Sequence, residues 1–320
     1  MPDLSVYCLI VTAIDNNMMR AGNLIIRQCQ ALLENKQQAI LVAIILSILP
    51  FASWLSVALV SLVTLRKGAK AGFEVMLPAL VVHSVPLMML VPLDSVLTNT
   101  LISYIPCYLA ALTLRKTMSW QSVSGIFLIQ AFIGFTILQL MAPDFVIDQY
   151  NQFKNILTQF QEYNQLIASS TGDMGSFVLS QLFFGLQILS VIISAMMSLL
   201  FARSIQSKLF MPEGFRKELL EFRGGRFAFL VLATVSIASY FGIPHAIFLL
   251  PLVLSYFLAS GFSLAYFVFA RKRQVKVVVL LLLLILLKPS FVLFAYIVFG
   301  ALDSLFNFRL YLPARVREST

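Results

Sequence analysis

The segment VKVVVLLLLLILLKPSFVLFAYIVFGALDSLFNFR, from Val275 to Arg309, decides the fold. It is apolar over nearly its whole length, but Lys288 and Pro289 interrupt its middle and Asp303 lies inside its far end. A helix that crosses the roughly 30 Å apolar core of a bilayer needs about 20 apolar residues. The segment can therefore cross a membrane once or fold back at the interruption, and this choice sets the side of the membrane for everything before it.

The composition of the whole chain indicates a membrane protein. Hydrophobic residues make up 60% of the sequence and charged residues 12%, and the mean hydropathy is +0.91. Soluble domains are about half apolar and a quarter charged, and no alternating strand pattern suggests a barrel. We therefore predict an all-α, polytopic integral membrane helical bundle with about 8–10 transmembrane segments, some of them short or broken by proline.

The order of apolar and polar segments predicts one membrane domain with two polar insertions. Residues 1–38 form an N-terminal cytoplasmic or interfacial segment, residues 39–310 the membrane domain and residues 311–320 a cytoplasmic tail. Pro50 breaks the first apolar block, 39–65. Single spans are predicted for 73–92, 95–114, 120–141, 176–202, 227–241 and 246–270.

The two polar insertions differ in character. Loop 142–175 repeats apolar residues at three- and four-residue spacing, which predicts a surface helix on the outer side. Linker 203–226 is basic, and Glu218, Phe222 and Arg226 share one helical face if the helix continues through its two glycines.

The distribution of basic residues predicts the topology. If blocks 39–65 and 275–308 each fold as a hairpin, both termini are cytoplasmic and only Lys154 and Lys288 lie outside, so 23 minus 2, or 21, of the Lys and Arg residues are inside. Single spans would place more of these charges outside. Because Lys and Arg accumulate in cytoplasmic loops, hairpins are preferred, and a net charge of +9 does not by itself indicate nucleic acid.

Polar residues within apolar segments are candidates for binding a substrate, because they cost free energy in a bilayer. His83 lies between Pro78 and Pro86, Gln181 lies within a span and His245 follows a proline at a short outer turn. Each also has a structural interpretation. His83 can hydrogen-bond a neighbouring helix, Gln181 can pack helices through its amide and His245 can be an interfacial residue.

Known catalytic and metal-binding patterns are missing from the sequence. It contains no HExxH, GxSxG or Walker motif, and Cys8, Cys29 and Cys107 are scattered without metal-ligand spacing. The sequence therefore predicts neither an enzyme nor a metal site, and it indicates no cofactor.

The end of the chain predicts a latch between membrane and cytoplasmic parts. A carboxylate at Asp303 requires a cationic partner, and we predict Arg223 or Arg226 of the linker. Asn307 is four residues further on and would share its helical face, and Arg309 would mark the inner membrane border. Alternatively, Asp303 caps a helix end near the interface or extends its side chain towards it.

The linker and the ending GALDSLFNFR resemble the YybS-like family of uncharacterised bacterial inner-membrane proteins. The residues that fit are Gly300, Asp303, Phe306, Phe308 and Arg309, whereas Asn307 stands where a second acid is expected. The resemblance implies a multi-pass protein of the bacterial inner membrane. That family is similar in fold to the substrate-binding S components of energy-coupling-factor transporters.

In S components an Ala-x-x-x-Ala pair on the first helix meets a transmembrane coupling subunit, and Ala39 and Ala43 have this spacing. The expected function is therefore a small-solute binding or transport component in the lipid bilayer. Its solute is unspecified, and its energy would come from a coupling subunit with ATPases. The alternative is a scaffold or assembly factor that docks cytoplasmic partners through Arg216, Arg223 and Arg226 of the linker.

Overall fold

The computed structural model describes residues 27–49, 52–89, 93–159, 175–211, 214–269 and 274–311. All regular structure in these ranges is helical, which confirms the predicted all-α class. Six of the described helices are long and apolar enough to cross a membrane, or up to eight spans if each of two bent pairs counts as one. The chain is thus a multi-pass helical protein of membrane type.

The helices follow the predicted apolar segments closely. In chain order they are α1 (Arg27–Glu34), α2 (Lys36–Ile48), α3 (Ser53–Lys67), α4 (Ala69–Met88), α5 (Leu93–Thr117), α6 (Trp120–Met141), α7 (Phe145–Leu157), α8 (Ser176–Phe210), α9 (Gly214–Glu221), α10 (Arg226–Tyr240), α11 (Pro244–Phe269), α12 (Gln274–Leu287), α13 (Pro289–Phe306) and α14 (Phe308–Tyr311).

The chain forms two compact units, of which the first comprises residues 1–116 and 194–215. Within it, α2, α3 and α4 pack on one another. The Ser56 hydroxyl donates to the carbonyl oxygen of Ala43 at 2.8 Å. These residues would be about 20 Å apart along a continuous helix, so the chain reverses between α2 and α3. The predicted fold-back of block 39–65 is confirmed, although Pro50 itself lies outside the described residues.

The second unit comprises residues 117–193 and 216–320, and α11 packs at its centre against α6, α10, α12 and α13. Helices α11 and α13 cross where Gly261 and Gly300 face each other. A Cβ atom added at Gly261 would meet the carbonyl oxygen of Tyr296, and one at Gly300 would meet that of Phe257. The two backbones are thus in direct contact, as small residues permit between membrane helices.

The segment from Val275 to Arg309 is interrupted at Lys288 and Pro289, as predicted. Helix α12 ends at Leu287, and Pro289 occupies the first turn of α13, a position that needs no backbone N–H. The Tyr296 hydroxyl lies 3.4 Å from the carbonyl oxygen of Leu281, 15 residues earlier, so the segment folds back on itself. The interruption predicted for block 275–308 is confirmed.

The loop after α6 contains the predicted amphipathic helix, α7. Its Val146 side chain is fully buried, and the ring of Phe153 stacks on that of Phe183 in α8 with centroids 4.5 Å apart. Tyr150 packs against the same ring at 6.0 Å. The continuation over 160–174 lies outside the described residues.

The basic linker is not one continuous helix. Helix α9 ends at Glu221, and the chain is not helical from Phe222 to Gly225 before α10 begins. Gly225 has φ +83°, which glycine adopts readily, and the two helices are bent by 50°. The condition under which Glu218, Phe222 and Arg226 would share one helical face, a helix that continues through the glycines, is therefore not met.

Candidate functional site

His83 lies on α4, which stays helical through both Pro78 and Pro86. Its Nδ1 donates to the carbonyl oxygen of Ser47 on α2 at 2.9 Å, so the expected hydrogen bond to a neighbouring helix is confirmed. In the neutral ring, protonated Nδ1 leaves Nε2 as an acceptor. No described residue donates to Nε2, and the side chain is only partly buried.

Next to His83, hydroxyl groups of three helices come together in the first unit. The ring of Tyr104 lies edge-on to the imidazole with centroids 5.7 Å apart. The Tyr104 hydroxyl, which is buried, donates to Ser56 Oγ at 3.1 Å. We call His83, Ser47, Ser56, Tyr104 and Thr100 the hydroxyl cluster. Apart from the half-buried His83, these side chains are all buried in the first unit.

Thr100 differs from the other members of the cluster in its hydrogen bonding. It precedes Tyr104 by one helical turn on the same face of α5, about 6 Å away along the axis. Its side chain is fully buried, and Oγ1 has no hydrogen-bond partner among the described residues. Threonine in a helix commonly donates to the carbonyl four residues earlier, as Thr64 does to Val60 at 2.7 Å. Leaving a buried hydroxyl unpaired costs about 1–3 kcal/mol.

The other two predicted substrate-binding residues, Gln181 and His245, belong to the second unit. His245 Nε2 lies 3.2 Å from Thr136 Oγ1, and Thr136 gives its own proton to the carbonyl of Phe132 at 2.8 Å. Nε2 is therefore the donor in this pair. Gln181 is 1% exposed and its Oε1 has no partner among the described residues.

The carboxylate of Asp303 is paired with Arg309, not with the linker. Arg309 Nε donates to Asp303 Oδ2 at 3.2 Å, and the Asp303 side chain is fully buried. The predicted pairing with Arg223 or Arg226 is therefore wrong. The reason lies at Asn307, which ends α13 in the left-handed conformation at φ 50°. This turn folds Arg309 back, so Asn307 does not continue the helical face of Asp303 as predicted.

Arg309 nevertheless attaches the end of the chain to the linker. Its Nη1 donates to the carbonyl oxygen of Leu220, and Nη2 donates to that of Phe222 at 2.7 Å and to Ser263 Oγ at 3.3 Å. We call Asp303, Arg309, Ser263 and these two carbonyl groups the linker clamp. Burial lowers the pKa of the Arg309 guanidinium from its ordinary value, and the Asp303 carboxylate opposes this shift.

Further side chains fix the linker next to the clamp. Gln121 Nε2 donates to the carbonyl of Arg223 at 2.7 Å, and the Tyr256 hydroxyl donates to that of Gly224 at 2.9 Å. The N–H of Gly224 donates to Ser260 Oγ at 3.0 Å. These contacts hold the linker to helices of the second unit, in addition to the hydrogen bonds that Arg309 makes with it.

Two further predicted residues do not form a docking surface. Ala39 is 1% exposed and Ala43 is fully buried, because α2 packs that face against the first unit's own helices. In this conformation neither alanine is exposed to a coupling subunit. Of the linker arginines, Arg226 is exposed, whereas Arg216 and Arg223 are half-buried.

Sequence reasoning identified His83 but missed Thr100 and Tyr104. Their four-residue spacing within the stretch Asn99–Tyr104, which is unusually polar for a span, was the available signal.

Within the described part of the chain, no group of three or more His, Cys, Asp or Glu side chains is placed to hold a metal ion. Comparisons with known protein families, curated proteins and solved structures found no match for this chain.

Proposed function

We propose that the chain is a membrane-embedded binding component for a small polar solute, and that the hydroxyl cluster of the first unit is its binding site. The observation that carries the proposal is the fully buried Thr100 hydroxyl, which has no hydrogen-bond partner among the residues that the structure describes. Buried polar groups in proteins are nearly always hydrogen-bonded, and an unpaired one requires a specific explanation. A bound solute that accepts from Thr100 provides one.

The chemistry of the cluster suggests what kind of solute binds. Thr100 can donate one hydrogen bond, and His83 Nε2 can accept one in the tautomer set by Ser47. The cluster contains no carboxylate, ammonium or guanidinium group, so a charged solute would be buried without a counter-charge, at a high cost in free energy. We therefore expect an uncharged solute that carries both a donor and an acceptor.

Transport would require an energy source outside this chain, and we propose an energy-coupling partner for that step. The YybS-like resemblance and the inner-membrane location with cytoplasmic termini are parts of the same proposal. A partner would have to dock elsewhere than on Ala39 and Ala43, because both are buried.

We place the protein among binding proteins rather than enzymes, since no described carboxylate hydrogen-bonds His83 to orient it for proton transfer.

The experiment is to purify the full chain gently from native membranes and to identify retained small molecules by mass spectrometry, for the wild type and for Thr100→Val. Valine keeps the shape of threonine and removes the hydroxyl. We expect about ten-fold less retained solute in the variant, because one hydrogen bond contributes about 1–1.5 kcal/mol. Without solute, the variant should be more stable by about 1 kcal/mol, since the unpaired hydroxyl is gone.

Thr234→Val is the matched control, because Thr234 is exposed and its hydroxyl donates to the carbonyl of Leu230 within its own helix. Equal solute retention in the wild type and both variants would refute the proposed site. So would a loss of stability in Thr100→Val, because that would mean that Thr100 has a structural partner.

The linker supports a second candidate, a scaffold for cytoplasmic partners. The linker clamp holds the linker in one conformation, and Arg226 remains exposed beside it. Proteomics on the same preparations separates the two functions. In a scaffold, replacing Arg216, Arg223 and Arg226 by Gln removes stoichiometric partners, while Thr100→Val leaves them bound.

A further inference from the structure

A cluster of exposed cations lies where three helices of the first unit end or begin. Lys67 is at the end of α3, Lys70 in the first turn of α4, and Arg115 and Lys116 in the last turn of α5. Glu74, one turn beyond Lys70, is already ion-paired with Lys36. The cluster therefore carries positive charge that its own neighbourhood does not neutralise.

Arg115 is fixed in place within this cluster. Its Nη1 donates to the carbonyl oxygens of Thr64 at 3.2 Å and Leu65 at 3.3 Å. The guanidinium lies over the turn at Gly68, where an added Cβ atom would be 3.3 Å from Cζ. No described residue accepts from Nε or Nη2, and a guanidinium held in this way is preorganised for a phosphate group.

An exposed apolar surface begins directly beside these cations. The rings of Phe73 on α4 and Tyr108 on α5 lie 6.5 Å apart, and the Tyr108 hydroxyl donates to the carbonyl of Ala69 at 3.0 Å. Phe73, Leu77 and Val81 follow one another at four-residue spacing, and all three are exposed. Aromatic rings at this level are typical of the border between headgroups and acyl chains.

We propose that this surface, formed by Lys67, Lys70, Arg115, Lys116 and the adjoining face of α4, is a binding site for an anionic phospholipid. The lipid phosphate is held by Arg115 and the lysines, and an acyl chain lies along the exposed stripe that starts at Phe73. A free phosphate ion matches the cations but not the stripe, and a neutral lipid matches the stripe but gains little from the cations. The site is independent of the proposed solute site.

Native mass spectrometry of the purified full chain tests this proposal, using equal amounts of dioleoyl-phosphatidylglycerol and dioleoyl-phosphatidylcholine in detergent. We expect preferential retention of phosphatidylglycerol, reduced about five-fold for each cation removed, in line with the contribution of a basic residue at an anionic lipid surface. Lys67→Gln with Lys116→Gln is the first variant, because neither side chain makes a described hydrogen bond or ion pair. Arg115→Gln is the second.

Lys154→Gln with Lys217→Gln is the matched control, since both residues are exposed lysines of the second unit. Unchanged phosphatidylglycerol retention in the control, together with a loss in the first variant, supports the site. Equal retention of the two lipids by the wild type, or no change in the first variant, overturns the proposal. Displacement of the lipid by inorganic phosphate at the same concentration also overturns it, because the acyl chain would then add nothing.

Discussion

Arg309 shows how one side chain can attach a chain end to a distant linker. A planar guanidinium offers donors in several fixed directions, and Arg309 uses them for Asp303 and for the carbonyls of Leu220 and Phe222. The sequence could predict that Asp303 needs a cation. It could not identify Arg309, because a straight helix would carry Arg309 away from Asp303. The left-handed turn at Asn307 ends the helix and brings Arg309 back to Asp303.

The ion pair within the clamp predicts a strong coupling. Asp303→Asn and Arg309→Gln should each destabilise the protein, because either change leaves a buried charged or polar group with too few partners. In the double variant the losses should be less than additive by about 1–3 kcal/mol, as for residues in direct contact. The measurement is the free energy of unfolding in mixed micelles for the four proteins of the cycle.

Arg226→Gln is the control for this cycle, since Arg226 is exposed and was the partner predicted from the sequence. Its combination with Asp303→Asn should be additive within about 0.5 kcal/mol. Additivity for Arg309 together with coupling for Arg226 would mean that the pairing observed here is wrong.

At the scale of helices, the break at Lys288 and Pro289 could be predicted, whereas the break at Gly224 and Gly225 could not. Pro289 fits the first turn of α13 because that position needs no backbone N–H, and together with Lys288 it marked the break, whereas Pro78 and Pro86 leave α4 helical. Glycine also occurs within continuous helices, so whether Gly224 and Gly225 break the helix depends on the tertiary structure around them. Gly224 lies so close to Ser304 that an added Cβ atom would meet its hydroxyl.

The crossing of α11 and α13 predicts a large difference between two identical substitutions. Gly261→Ala places a Cβ atom against the carbonyl oxygen of Tyr296 and must push the helices apart. Overpacking of this kind costs about 1–3 kcal/mol. Gly134→Ala, in the open on α6, should instead be neutral or stabilising by up to about 1 kcal/mol, since alanine favours helix. Unfolding in mixed micelles measures both, and equal effects would contradict the close crossing.

For the whole molecule, the grouping of candidate residues was the least predictable feature. The predicted ligand would meet His83 and also Gln181 or His245, and the structure assigns His83 to one compact unit and the other two residues to the second. The chain leaves the first unit after Lys116 and returns to it at Ser194, within the continuous helix α8. Apolar periodicity predicts which residues are buried in helices, but it does not identify the helices that pack together.

The fold-back of α12 on α13 gives the topology a direct test. The turn of this hairpin lies at Lys288, which is exposed. In the topology that places most Lys and Arg residues on the cytoplasmic side, this turn is outside and Lys116 is inside. With Cys8 and Cys29 replaced by serine and the buried Cys107 kept, Lys288→Cys should react in intact cells with a membrane-impermeant maleimide. Lys116→Cys should react only after permeabilisation, and Gln152→Cys on α7 should behave like Lys288→Cys. Labelling of Lys288→Cys only in permeabilised cells would place the turn of the hairpin on the cytoplasmic side and refute the predicted orientation.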